Sequence, residues 1–537
     1  MSIDLDLTDT AGSSNPPPDR TTSLLVALLA VLLCVAAVIV LLTVRQRSQQ
    51  AALLKPSPTA TARAVASPTA TRPATGAATP APTAPPTPTR SPVVPLPLTA
   101  TPQPTSAPPT PTLPSTAVVM PTPQPVDTGG RTWYFGEGAS VSPFRTTYAI
   151  FNPGSQAAAV TLTLFPEDAR SVARSITVAP SSQSTLIAND VLSSSVFGAS
   201  ISSDRPVYVE RITVGDRDGT TSSGLTPSTI WYFPEGQTGD DFTTWLLILN
   251  PGSMPADVTV KYYTVVGTKP IVKRYTAPAS ARLTVAVHKD IAAGVMGIIV
   301  EASRPIVAEY AIYFDDQKAA HGGPGIPSLS KTWYIGAGNT QVGFTARLAI
   351  LNPNKQEAEV KVTFLGSKQQ PITDTYPIAA EGKDDIVLND RADEQLVAAI
   401  IESNMPIAVE VITYYLSGGE RGQVAAYSAP ALPAASKQWY LPALAADSSF
   451  DSYLSLLNPG QTPASVTITY VLGGGQAAME TRALPALGRL VQRVGDIVKD
   501  KTVVAASVSS TQPIVAERIT MFRSTVGATS SAGIVGP

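Results

Sequence analysis

The feature that most constrains the fold is a stretch, Trp133 to Gly154, whose framework recurs four times along the chain. It reads WYFGEGASVSPFRTTYAIFNPG in the first copy and returns at Trp231, Trp333 and Trp439. A Phe follows each Trp at a constant spacing, as Phe144, Phe242, Phe344 and Phe450. An Asn-Pro pair follows at a second constant spacing, beginning at Asn152, Asn250, Asn352 and Asn458. The intervals between successive Trp residues are all close to a hundred residues, so the sequence predicts four tandem domains of about that length.

Each copy contains short segments in which every second residue is apolar. The segment after the Asn-Pro pair reads VTLTL from Val160, VTVKY from Val258, VKVTF from Val360 and VTITY from Val466. A period of two indicates antiparallel strands with one buried face. About seven such segments per copy predict an all-β fold of four immunoglobulin-like or fibronectin-like β-sandwiches. A propeller is disfavoured because its blades repeat at roughly 40 to 50 residues.

The expected domain boundaries follow from this period. The four repeats are predicted at 130–224, 228–322, 330–428 and 436–537, joined by proline-rich segments such as residues 323–327. We expect these joints to separate the repeats, so that each folds as an independent bead.

The N-terminal part of the chain has a different character. Residues 24–44 form an apolar run without a charge, long enough to cross a bilayer core of about 30 Å as a helix. The sequence therefore predicts a short cytoplasmic tail at 1–22 and one transmembrane helix at 23–44. Arg45 and Arg47 favour a cytoplasmic C-terminal side. The composition that follows favours the opposite orientation, a single-pass protein of the cell membrane with most of the chain outside the cell.

Residues 45–129 are rich in Pro, Thr, Ala and Ser, and residues 48–126 contain no Asp or Glu. Such a segment has too little apolar surface to fold and is predicted to be a disordered, extended stalk. Its composition also fits O-glycosylation. Over the whole chain the net charge is -2, so no nucleic-acid partner is expected.

Two carboxylates recur once in every copy. They are Asp190, Asp290, Asp390 and Asp496, and Glu210, Glu309, Glu410 and Glu517. A group that each repeat contains more often supports the fold than carries out chemistry. We expect each Asp to bond nearby backbone amides and each Glu to pair with a cation, a tyrosine or a loop amide. Calcium binding by these groups stays open as an alternative.

Candidate functional residues are few. The two histidines, His288 and His321, have no cysteine partner, since the only cysteine, Cys34, lies in the apolar run. We therefore expect no enzyme, and we assign no catalytic, cofactor-binding or metal-binding residue. Trp245 is the one candidate for a ligand contact. Its position holds Thr147, Arg347 and Tyr453 in the other copies, and this variation predicts a surface residue, either a stacking platform for a sugar or peptide or a partly covered packing residue.

The pattern W-Y-F-x-E-G, then N-P-G, then R-P-I-V-A-E resembles tandem β-sandwich repeats of bacterial membrane-anchored surface proteins. The resemblance extends from residue 130 to the end of the chain, although Ala337 and Ala443 replace the glutamates found at Glu137 and Glu235. It implies a structural or adhesive role at the cell surface, with cell-wall or extracellular glycans or proteins as partners. A glycan- or peptide-binding ectodomain is the alternative.

Overall fold

The computed structural model describes residues 132–536, except 169, 240, 265–267, 367–369, 393–394, 417–422, 473–476, 500 and 524–526. The chain divides into two compact units, Met1–Leu113 and Pro114–Pro537, and every described residue belongs to the second. The predicted tail, transmembrane helix and stalk at 1–22, 23–44 and 45–129 lie outside the described residues.

The first repeat is a sandwich of two four-stranded antiparallel sheets. Its strands are β1 Thr132–Phe135, β2 Arg145–Asn152, β3 Ala158–Pro166, β4 Val172–Val178, β5 Ser182–Ile187, β6 Phe197–Ser203, β7 Tyr208–Val214 and β8 Gly219–Ser223. One sheet has the order β4-β3-β6-β1 and the other has the order β5-β2-β7-β8. Residues from both sheets form one apolar core.

The other three repeats reproduce this plan with one change. The strands equivalent to β6 and β7 are fused into a single long strand, β16, β23 or β30, which pairs in both sheets. The second repeat comprises β9 Ser228–Phe233, β10 Gln237–Thr238, β11 Thr243–Asn250, β12 Ala256–Tyr263, β13 Ile271–Ala277, β14 Ala281–Ala286, α1 Val287–Asp290, β15 Gly294–Val295, β16 Gly297–Phe314 and β17 Ala319–Pro324.

The third repeat comprises β18 Ser330–Asn339, β19 Phe344–Asn352, β20 Ala358–Gly366, β21 Ile372–Ile378, β22 Gly382–Val387, β23 Leu396–Leu416 and β24 Gln423–Pro430. The fourth comprises β25 Ser436–Ala446, β26 Phe450–Leu457, β27 Ala464–Leu472, β28 Ala477–Leu484, β29 Arg489–Arg493, β30 Lys501–Phe522, β31 Ala528–Ala532 and β32 Ile534–Val535. Short 3-10 turns lie at Ala188–Asp190, Leu388–Asp390 and Val494–Asp496.

The recurring sequence positions are the internal supports of each sandwich. In β3 the side chains of Val160, Leu162 and Leu164 are buried, whereas the intervening threonines are partly exposed, as a period of two requires. The Asn that opens the Asn-Pro turn is fully buried in every copy. Asn152 donates through Nδ2 to the carbonyls of Gln156, Val178 and Ala179 at 2.8 to 3.2 Å and accepts the Gly154 amide. A side chain with this many backbone partners fixes the turn.

The four repeats close into a ring. The inner strands β8, β17, β24 and β31 contact one another in a cycle, so β31 of the last repeat returns to β8 of the first. The Thr221 hydroxyl donates to the Ser530 carbonyl at 2.7 Å, and the Ser223 hydroxyl donates to the Ala532 carbonyl at 2.9 Å. Residues more than three hundred positions apart in sequence therefore meet at the centre of this unit.

The fold class predicted from the sequence needs two corrections. First, no helix in the described part of the chain is long and apolar enough to cross a membrane. The transmembrane helix expected at 23–44 thus has no support in the structure, and the fold class that is supported is all-β. Second, an immunoglobulin domain pairs its first two strands in one sheet, whereas β1 and β2 lie in different sheets here.

The repeats are also not independent beads. The apolar core of the third repeat includes Tyr263 and Ile299 from the second, and the core of the first includes Val471 and Ala505 from the fourth. The proline-rich joints join domains that pack directly against each other.

Candidate functional site

The four recurring glutamates lie at the interfaces between neighbouring repeats. Glu210, Glu309, Glu410 and Glu517 are each at most 1% exposed. Each one accepts a hydrogen bond from a group in the preceding repeat of the ring. The predicted pairing with a cation, a tyrosine or a loop amide is confirmed, but the partner belongs to another repeat.

At the first interface Arg211 lies between two carboxylates. Its Nη2 is 2.8 Å from Glu137 Oε2 and 3.0 Å from Glu309 Oε2, and the Glu137 amide also donates to Glu309. The Thr220 hydroxyl donates to Glu137 at 2.6 Å. Burial alone would lower the pKa of Arg211, but Glu137 and Glu309 outweigh it and raise that pKa. This network binds the first repeat to the second.

The last repeat closes the ring on the first with an equivalent pair. Arg518 occupies the position of Arg211 and donates to Glu210, and the Ser531 hydroxyl donates to the same carboxylate at 2.6 Å. The rings of Tyr208, from the first repeat, and Tyr440, from the fourth, also stack, with centroids 3.9 Å apart. This contact closes the ring.

The second and third interfaces use other groups. The Tyr310 hydroxyl donates to Glu410, whose pKa burial raises to about 8. The Gly336 amide donates to Glu517 at 3.0 Å, and burial raises the pKa of Glu517 to about 7. At the other interfaces, the residue that follows the repeated glutamate donates a hydrogen bond to the next repeat. In the third repeat this residue is Val411, whose side chain has no donor. Three kinds of donor, an arginine, a tyrosine and a backbone amide, thus satisfy the four buried carboxylates.

The sequence held a signal for this arrangement. The residue after the repeated glutamate is Arg211, Tyr310, Val411 or Arg518, and three of these four side chains can donate a hydrogen bond. The change from Glu137 and Glu235 in the first two repeats to Ala337 and Ala443 in the last two also reflects differences between the interfaces. Glu235 binds Arg347 and Lys383 across the second interface, the latter at 3.3 Å. The sequence analysis recognised the departure at Ala337 and Ala443 but not the variation of the residue after each repeated glutamate.

A cavity of about 540 Å³ lies at the first interface. Its wall includes the aromatic side chains of Trp245, Phe144 and Tyr313. Its polar lining comprises Glu137, Glu167, Thr213, Asp216, Asp218, Thr220, Arg282, Thr284, Asp316, Gln317 and Lys318. The volume is in the range of roughly 300 to 1,000 Å³ found for small-ligand pockets.

Trp245 is therefore not an open surface residue. It is half-buried, faces the first repeat, and meets the His288 ring edge to face at 4.8 Å. Both sequence interpretations, ligand platform and packing residue, remain compatible with this position.

Arg282 and Asp218 fix two sides of the cavity. Arg282 is 5% exposed and donates through Nη1 to the carbonyls of Gly138 at 2.8 Å and Phe197 at 3.3 Å. Asp218 is 2% exposed and accepts the backbone amides of Ala320 and Ala426. Burial raises the pKa of Asp218 well above its usual value. Three repeats meet at this one carboxylate.

The recurring aspartates do not gather into a site. Asp190, Asp390 and Asp496 are exposed at the ends of the short 3-10 turns, and Asp290 accepts from the hydroxyls of Tyr262 and Tyr275. In two repeats the preceding Asn bonds the backbone instead: Asn189 accepts the Thr146 amide and Asn389 the Ala346 amide, both at 3.0 Å. Among the described residues, no cluster of three or more His, Cys, Asp or Glu side chains could hold a metal ion.

His321 is buried between the second and third repeats. Its Nε2 is 3.1 Å from the Tyr414 hydroxyl, and its Nδ1 is 3.3 Å from the Ser428 hydroxyl. Burial lowers the pKa of His321 to about 3, with a further contribution from Arg347. A neutral imidazole is suited to this hydrogen-bonded role in the interior.

Comparison with known proteins gives little further guidance. No family model and no curated protein matches the chain. One solved structure, Thermotoga maritima 1070, is 16% identical, covers 19% of this chain and 93% of its own, and has a TM-score of 0.18. Another, a tetra-tandem repeat in the extending region of a large adhesion protein, is 12% identical, covers 72% of this chain and 93% of its own, and has a TM-score of 0.10. At these scores the likeness does not bear on function. The fold itself defines the class: an all-β tandem-repeat protein closed into a ring.

Proposed function

We propose that this protein is a structural and adhesive module that presents a rigid ring outside the cell. The observation that carries the proposal is the closure of the fourth repeat on the first through Arg518, Glu210 and Ser531. Removing one partner of a buried ion pair lowers stability by about 3 to 5 kcal/mol. Such a contact between the first and fourth repeats therefore opposes opening of the ring. A closed ring holds its outer loops in fixed relative positions, as multivalent attachment requires.

The placement outside the cell rests on the sequence that precedes the ring. Residues 45–129 combine many Pro and Thr residues with few charges, a composition typical of extended spacers.

Cells that make the full chain provide the test. An antibody against the ring should label intact cells, and these cells should adhere to surfaces coated with extracellular glycan or protein better than cells lacking the chain. A Glu210→Ala variant, which leaves Arg518 buried without its carboxylate, should be displayed but adhere less. Labelling only after lysis would contradict the placement, and equal adhesion with and without the chain would contradict the role.

A ligand-binding ectodomain is the second candidate function. The cavity beside Trp245 favours it, because aromatic and polar groups from two repeats converge there. Glycan and peptide arrays probed with the full chain would test this candidate, and a Trp245-dependent signal would support it.

A further inference from the structure

We propose that the cavity at the first interface binds a neutral saccharide of one or two rings. This inference rests on the second candidate function and on the ring being closed. Three observations carry it: the space is left open at this interface, its aromatic wall includes Trp245, and its polar wall carries both signs of charge.

At the second interface, ion pairs fill the equivalent space. There Arg347 stands in the position of Trp245 and Lys383 in the position of Arg282. Both cations reach across to Glu235, and Lys383 also lies 2.8 Å from Asp385. Ion pairs thus occupy the second interface, whereas the first retains about 540 Å³.

The polar groups that line the first cavity are held in place by hydrogen bonds to one another and to the backbone. The Arg282 guanidinium is turned to the carbonyls of Gly138 and Phe197, and its Nε donates to Thr284 at 3.1 Å. The Thr284 hydroxyl in turn donates to Glu167 at 3.0 Å. A wall whose polar groups are already positioned loses little entropy when a ligand enters.

The wall chemistry selects the class of ligand. The carboxylates of Glu167, Asp216 and Asp316 disfavour an anion. Arg282 and Lys318 repel a positively charged ligand, and the repulsion from Arg282 is poorly screened because this side chain is buried in the wall. A neutral polyol can accept from the cations and donate to the carboxylates. The apolar face of a sugar ring can then lie against Trp245, Phe144 or Tyr313.

Intrinsic fluorescence gives a readout specific to this site. The chain has five tryptophans, and Trp133, Trp231, Trp333 and Trp439 are at most 3% exposed. Trp245 is the partly exposed one. A ligand against Trp245 should change its emission and protect it from acrylamide quenching, with the four buried indoles as an invariant background.

The experiment titrates the full chain with glucose, galactose, mannose, N-acetylglucosamine, maltose, cellobiose and lactose, with glucosamine and glucuronate as charged comparators. The test variant is Trp245→Thr, because Thr147 occupies the same position in the first repeat and should preserve the fold. The control is Tyr453→Thr, which makes the same kind of change at the equivalent position of the fourth repeat. Thermal melting confirms that both variants fold, and calorimetry measures binding without relying on tryptophan.

We expect at least one neutral saccharide to bind the natural chain, to bind Trp245→Thr roughly 30-fold more weakly, and to bind Tyr453→Thr unchanged. Three results would overturn the proposal: no binding across the neutral panel, binding that Trp245→Thr leaves intact, or tighter binding of glucosamine or glucuronate than of any neutral sugar. If no saccharide binds while cells bearing the chain still adhere, this inference fails and the adhesive role stands.

Discussion

The cores of the four repeats are built alike, whereas the four interfaces between them differ. In every core the indole N–H of the repeated tryptophan donates to a carbonyl at the same position, namely Val207, Ile306, Ile407 or Ile514, at 2.8 to 3.1 Å. At the interfaces the repeated glutamate is satisfied by Arg211, Tyr310, the Gly336 amide or Arg518.

Cores and interfaces differ because the two partners of a core contact belong to the same repeat, whereas the two partners of an interface contact belong to different repeats. A core contact is made within one copy, so every copy needs the same residues at the same positions. An interface contact joins two copies, so its two sides can differ from one junction to the next as long as the buried carboxylate is satisfied. The sequence therefore repeats both sides of each core contact but only the glutamate side of each interface contact.

The largest effect is expected from emptying a core. Trp231→Ala should lower the free energy of unfolding by about 3 to 5 kcal/mol, the range for truncating a large buried aromatic. Because neighbouring cores share residues, the whole ring should unfold in one calorimetric transition at a lower temperature. Met254→Ala, at a position 52% exposed in the same repeat, is the control and should stay within about 0.5 kcal/mol. Three transitions that keep their original temperature would show that the repeats behave as independent beads.

An interface charge should matter nearly as much as a core residue. Arg211→Ala leaves Glu137 and Glu309 buried without their cation and should cost about 3 to 5 kcal/mol in urea unfolding. Val411→Ala changes the equivalent position of the third repeat, where no ion pair exists to be lost, and should cost only about 1 to 2 kcal/mol. If Arg211→Ala and Val411→Ala lower the free energy of unfolding equally, the ion pair at the first interface does not contribute more than the apolar contact of Val411.

Two matched glutamate substitutions should act in opposite directions. Burial raises the pKa of Glu517 from 4.5 to about 7, so the folded state holds a proton that the unfolded state has released. Its contribution to stability is complete below about pH 4.5 and is lost as pH rises through about 7. Glu517→Gln should remove this pH dependence and stabilise the ring at pH 8 by on the order of 3 kcal/mol.

Glu210→Gln is the matched comparison, because Glu210 forms a direct ion pair with Arg518, whereas Glu517 accepts the Gly336 amide and feels the Arg489 cation only at longer range. This variant should destabilise the ring at pH 8, since Arg518 loses its counter-charge. Urea midpoints between pH 4 and 9 would measure both effects. Destabilisation by Glu517→Gln at pH 8 would refute the assignment of Glu517 as a carboxyl whose pKa is raised by burial.

The smallest effect concerns a single hydroxyl at the second interface. Tyr310→Phe removes the hydrogen bond to Glu410 and should cost about 1 to 2 kcal/mol. Tyr148→Phe is its control, since the Tyr148 hydroxyl is buried without a hydrogen-bond partner among the described residues, and its loss should be neutral or stabilising. A greater cost for Tyr148→Phe would mean that this hydroxyl has an unrecognised partner.

The sequence predicted the parts of the fold that repeat within a copy. The strand after each Asn-Pro turn, the buried tryptophans and the pairing of the repeated glutamates all follow from period and spacing. The ring did not follow, because closure depends on pairs such as Arg518 and Glu210, which are 308 residues apart, and because the donor to the glutamate is not the same residue type at all four junctions. The same limit applies to Trp245: its variability predicted exposure, yet the position varies because it faces a different neighbour at each interface.

The central claim is that the fourth repeat closes on the first, and small-angle X-ray scattering of residues 130–537 tests it most directly. A closed compact unit of about 400 residues should have a radius of gyration of about 22 Å. Four domains of about a hundred residues arranged in an open row would give roughly 40 Å. The ring predicts a value of about 22 Å that rises when both Arg518 and Glu210 are replaced by Ala. A value of roughly 40 Å for the natural sequence would contradict it.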